Sequence, residues 1–167
     1  MKFLSFIFIT CSFLSCKSSE NTIDKLNWEQ DLEISWDAIE SNDDYRVYFL
    51  SLNSDPFYRE ETYGKSITDF MYKDSLYELD SEDYFAFTTF VADSSNFSFG
   101  ECGTFALNSG FIVTEFEKIK GYVDLGCGSV QWDFHPRNFN SKDGSISEKG
   151  FEKMSDMLDR IYLKRKN

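Results

Sequence analysis

Apolar and polar positions alternate in short blocks along most of the chain. Leu32-Glu33-Ile34-Ser35-Trp36 alternates strictly and predicts a strand. Tyr45 to Leu52 is rich in aromatic and β-branched residues, with Tyr45, Val47 and Phe49 on one face. Tyr84 to Ala92 is apolar on both faces, the pattern of a central strand. Further strands are expected over 110–116, 119–125 and 129–134. Polar turns separate the runs, as at 41–44, 80–83 and 94–96. Many short strands with polar turns predict a mainly β protein, a sandwich or a barrel, with the β-sandwich-like form expected here.

The periodicity changes near the end. Phe151, Met154, Leu158, Ile161 and Tyr162 recur at helical spacing and predict one C-terminal α-helix with its stripe on the core. Ser145 and Glu148 have the spacing of a capping box, and Asp156 and Arg160 that of an i,i+4 pair. Lys164-Arg165-Lys166 suits a helix C-terminus, and could also touch anionic headgroups.

The N-terminus follows a different rule. Residues 1–15 hold one charge, Lys2, and then an apolar run from Phe3 to Leu14. The run is too short to span about 30 Å of hydrocarbon, but it fits a secretory signal. The chain then turns polar over KSSENTIDK. Phe13-Leu14-Ser15-Cys16 resembles the lipobox of bacterial lipoproteins, with small Ser15 before the cysteine and Phe13 where leucine is usual. The resemblance implies cleavage before Cys16 and acylation of Cys16. Chains contributing about 0.8 kcal/mol per buried CH₂ would then hold the protein on a bilayer. It also implies a bacterial cell envelope. Lys17, where some lipoproteins carry an inner-membrane retention Asp, leans towards the outer membrane. Residues 16–27 become the lipidated cysteine and a tether.

A second resemblance spans residues 28–108. LEISWDAIESNDDYRVYFL is similar to the second and third strands of a fibronectin type III module, in which a Trp precedes a Tyr by about nine residues, as Trp36 precedes Tyr45. Leu79 to Phe87 resembles that module's tyrosine corner, with Tyr84 as the corner residue. The usual prolines and the corner glycine are missing. The expected organisation is a signal over 1–15, a tether over 16–27, a β-sandwich-like region over 28–108, and added strands plus a helix over 109–167 on the same domain.

Charge narrows the partners. The chain has 17 basic and 29 acidic residues, a formal charge of −12, and losing residues 1–15 removes one lysine and no acid, leaving −13. Such a field disfavours nucleic acid and favours basic proteins, or serves solubility alone. Cysteine usage follows from the signal. Cys11 leaves with it and Cys16 is acylated, so Cys102 and Cys127 remain as a pair in an oxidising setting. A bridge between them would close a loop of 26 residues, stabilising by about 3.5 kcal/mol in the loop-entropy model.

Candidate chemistry is sparse. On a strand, Gln131, Asp133 and His135 share one face, opposite Val130, Trp132 and Phe134. That row could bind a ligand or move a proton, and His135 is the only histidine. The signal is weak, and a solvated sheet face is the preferred explanation of it. Asn140 to Ser147 resembles the middle of an EF-hand loop, but Phe139 and Gly150 stand where carboxylates are needed. Phosphate loops, zinc spacings and nucleophile elbows are missing, so no cofactor and no metal are expected. Asn96-Phe97-Ser98 is a sequon in form only. Three classes follow. The first is a non-enzymatic binding or structural lipoprotein holding protein or glycan. The second is an inhibitor or immunity-type lipoprotein facing a basic exported enzyme or toxin. The third and least favoured is a hydrolase using Asp133 and His135.

Overall fold

The computed structural model describes residues 25–41, 44–52, 62–72, 75–100, 105–137 and 144–165. The protein is mainly β: a seven-stranded antiparallel sheet with a C-terminal helix. The strands are β1 (Arg46–Ser51), β2 (Tyr77–Glu78), β3 (Phe97–Ser98), β4 (Leu107–Glu115), β5 (Lys118–Gly126), β6 (Gln131–His135) and β7 (Ser145–Ile146). Their order is β2-β1-β4-β5-β6-β7-β3. Two helices are present among the described residues, α1 (Ser81–Ala92) and α2 (Glu148–Arg165). β4 runs through residue 108, so segments on both sides of that point contribute to one sheet.

Apolar residues line both sides of the sheet, consistent with a sandwich-like arrangement. On one side Val47, Phe49, Phe111, Val113, Val123, Leu125, Trp132 and Phe134 meet the two helices through Phe87, Phe90, Val91, Met154, Met157, Leu158 and Ile161. Trp132 is the hub, with its ring against those of Phe87, Phe90, Phe97, Phe111 and Phe134. On the other side Leu50, Ile112, Ile119 and Tyr122 are covered by Ile67 and Met71, with Leu26 and Trp28 packed against them. That cover is irregular chain and a 3-10 turn at Ile67–Phe70. Gly110 of β4 faces this layer, where a Cβ would meet Ile67 at 2.7 Å.

Five local expectations are revised. The strand expected over 84–92, with its tyrosine corner, is helix α1. Asp80 caps it, accepting from the amides of Glu82 and Asp83, and Asp83, Phe87, Phe90 and Val91 fall on one buried stripe. The cap and the 3.6-residue period outweigh the β propensity of the aromatic run. The Tyr84 hydroxyl does reach a backbone carbonyl, that of Ile39, at 3.4 Å. Residues 32–35 form no strand of the sheet. They run beside β5, the amides of Glu33 and Ile34 both donating to the Lys120 carbonyl, before a 3-10 helix at Trp36–Ser41.

The cap of α2 is Ser147, whose Oγ accepts from the Gly150 amide at 3.0 Å, whereas Ser145 sits in β7. Phe151 lies off the buried stripe, 52% exposed, and Met157 takes its place. Finally, the basic end of α2 is engaged within the fold. Lys164 meets Asp80 and the fully buried Asp83 at 2.8 Å each, and Arg165 donates to the Ser51 carbonyl. Arg160 pairs with Asp83 and Glu82 on α1.

Candidate functional site

β6 alternates as expected, burying Trp132 and Phe134 and leaving Gln131, Asp133 and His135 on the opposite face. Register with β5 decides what that face meets. Tyr122 lies across from His135, Asp124 from Asp133, and Gly126 from Gln131. The His135 ring stacks on Tyr122 with centroids 4.4 Å apart and planes 17° apart. Its Nε2 is buried and lies 3.5 Å from an oxygen of Asp124 and 3.5 Å from one of Asp133. Both separations are long for a strong hydrogen bond, so the contacts are mainly Coulombic.

Asp124 is the buried member, its side chain only 6% exposed. It accepts the Ile67 amide at 2.7 Å and the Ser66 hydroxyl at 3.3 Å. Burial pushes its carboxyl up to about 6, against the opposing pull of the Ile67 amide and the His135 charge. Burial disfavours the charge on His135, but Asp133 and Asp124 outweigh it and raise the imidazole above its ordinary value. Burial likewise raises the Tyr122 phenol.

The structure therefore brings Asp133 and His135 together and adds Asp124, Tyr122 and Ser66, which the sequence reading did not single out. Asp124 carries a readable signal, a lone carboxylate in the otherwise apolar run Gly121–Leu125. Gln131 is set apart. Four residues of strand, about 13 Å, separate it from His135, and its Oε1 accepts from Ser145 at 2.8 Å. Chemically the cluster can hold and pass a proton between a histidine and two carboxylates. The Ser66 hydroxyl is engaged with the Asp124 carboxylate.

The other candidates are placed as follows. Cys16 and Cys102 lie outside the described residues, as do positions 139–143 of the EF-hand-like stretch. Cys127 opens the β5–β6 turn in a left-handed backbone conformation, φ 54°. Asn96 is buried, its amide donating to the Phe90 carbonyl, a position closed to a glycan. Among the described residues no group of three or more His, Cys, Asp or Glu side chains is arranged to hold a metal ion. Among the same residues no helix is long and apolar enough to cross a membrane. Comparison of the chain with family models, curated proteins and solved structures finds no match.

Proposed function

We propose that this protein is a lipoprotein of the bacterial cell envelope, anchored through acylated Cys16, whose β domain binds another molecule rather than catalysing a reaction. The observation that carries the reading is the run Phe13-Leu14-Ser15-Cys16 behind a lysine and an apolar stretch, and before a polar one. Its leaning is to the outer membrane. Exposed aromatic side chains support the binding role: Tyr63, Phe85, Phe99 and Phe116 are each more than 60% exposed. Aromatic anchors of this kind are enriched at protein interfaces. The Cys102–Cys127 bridge belongs to the same reading, because export provides the oxidising setting.

The test is direct. Mass spectrometry of the membrane-extracted protein should find Cys16 as an acylated N-terminal residue, and Cys16→Ser should release the protein or leave its leader attached. An unmodified Cys16 within an intact N-terminus overturns the anchor. A second reading, binding to a basic exported enzyme or toxin, is favoured by the acidic end of the sheet around the β4–β5 hairpin. The salt dependence expected of such a complex is steep.

A further inference from the structure

The β4–β5 hairpin closes with a two-residue loop, Phe116-Glu117, because Glu115 pairs with Lys118. Both loop residues have positive φ, 48° and 63°. That is the signature of a type I′ turn, which favours Asn-Gly at these two positions. A bulky phenylalanine is disfavoured in this backbone region. Phe116 is also 83% exposed, so core packing does not explain its presence. Local backbone and core packing thus both argue against phenylalanine at the tip. Such outliers concentrate at functional sites.

The base of the tip is braced. The Ile119 amide donates to the Glu29 carbonyl, and the Asp31 amide to the Ile119 carbonyl, each at 2.8 Å. Lys118 meets Glu29 at 3.6 Å. Lys120, its side chain 11% exposed, reaches Asp31, Glu33 and Glu115 at 2.7, 3.5 and 3.7 Å. With Glu117, five acids stand here against two lysines, one of them turned inward, a formal charge of −3. Glu29 and Glu33 are more than 70% exposed. The tip thus presents one aromatic ring from an acidic collar on a fixed base.

We propose that the β4–β5 hairpin tip is a protein-docking element, with Phe116 inserting into an apolar pocket of a basic partner whose Lys/Arg rim meets Glu29, Glu33 and Glu117. The proposal rests on the binding reading above and names its site; it does not depend on the lipid anchor. Charge complementarity selects the occupant. An anionic bilayer surface would repel the acidic collar, whereas a basic protein gains both Coulomb attraction on approach and apolar burial at the centre.

The test uses the full chain in the cells that make it, with the photoreactive analogue p-benzoylphenylalanine at position 116 and, separately, at positions 85 and 163 on the helical side. Irradiation should give a discrete adduct from position 116, at least fivefold more abundant than from the other two, and mass spectrometry should identify a basic protein in it. With that partner purified, Phe116→Asn should weaken binding at least tenfold while leaving the melting temperature equal or higher, since asparagine suits the left-handed turn. Adducts at 85 or 163 without one at 116 overturn the site and spare the binding reading. An adduct at 116 with lipid or with an acidic protein overturns the proposed occupant. Adducts at no position count against both the site and the binding reading. Unchanged affinity of Phe116→Asn removes Phe116 as the anchor.

Discussion

Replacing Asp124 with asparagine isolates a carboxylate that burial has made more basic. The wild-type group sits near 6 in the fold, against 3.8 when unperturbed. A raised folded value means that the native state binds more protons than the unfolded chain between those limits, so stability falls as pH rises through that window. The difference of about two units corresponds to roughly 3 kcal/mol, of which about 2 kcal/mol is lost between pH 4.5 and 7.5. His135 acts in the same direction. Its raised value favours folding below the unfolded pKa of about 6.5, and that contribution is lost as pH climbs through the folded value.

Opposing groups operate elsewhere on the scale. Asp31, Asp80 and Asp93 are lowered, chiefly by hydrogen bonds from Lys120, Lys164 and Ser95 respectively, and lose their contribution only as pH falls below about 4. Asparagine keeps an oxygen for the Ile67 amide but binds no proton. Urea unfolding followed by tryptophan fluorescence at pH 4.5, 5.5, 6.5 and 7.5 should show the wild type weakening by about 2 kcal/mol or somewhat more, and Asp124→Asn weakening far less. The variant therefore gains on the wild type as pH rises. Parallel curves for the two proteins, or a wild type that strengthens across this range, would refute the account of Asp124 as a buried carboxylate that takes up a proton on folding.

The remaining predictions concern the turn, the buried ion cluster, the aromatic hub and the cysteines. Phe116→Asn combined with Glu117→Gly should raise stability by about 1–2 kcal/mol, read from the urea midpoint, because both residues then suit positive φ. Lys164→Met strips one cation from fully buried Asp83 and should cost roughly 2–3 kcal/mol, less than a fully broken buried pair because Arg160 remains; adding Asp83→Asn should recover much of the loss in a double-mutant cycle. Trp132→Ala should cost about 3–5 kcal/mol by chemical denaturation, since five phenylalanine rings lose their common neighbour. Alkylation without reductant should leave Cys102 and Cys127 unlabelled, and Cys127→Ser should lower stability by about 3 kcal/mol.

The periodic parts of the fold were legible in the sequence. β1, β4, β5, β6 and the C-terminal helix each carry a two- or 3.6-residue period long enough to decide the element. Residues 84–92 carry a strand-like composition, because Tyr, Phe, Thr and Val dominate them and these residues favour strands. The decisive local signals were Asp80 at the cap, two acids in the first turn, and the Phe87-Phe90-Val91 spacing. Residues 32–35 alternate like a strand yet stay outside the sheet, because alternation records burial of one face and not membership of a ladder. The candidate cluster was half legible. The shared face of Asp133 and His135 follows from β6 alone, but Asp124 joins them through strand register, which is set by long-range pairing. Ser66 enters through a 3-10 turn that carries no apolar period of its own.

The position of the polar cluster follows from what covers each side of the sheet. The helical side is closed by α1 and α2, whose backbone groups between the caps are satisfied within each helix. The other side is closed by irregular chain over 26–35 and 66–71, whose amides must find partners once water is excluded. β5 supplies them: the carbonyls of Ile119 and Lys120 take the amides of Asp31, Glu33 and Ile34, and the Asp124 carboxylate takes that of Ile67. Lys120 then answers Asp31 and Glu33, and His135 answers Asp124. Asp124 and His135 thereby have a structural task before any chemical one, which is to fix the segment around Ile67 over the sheet.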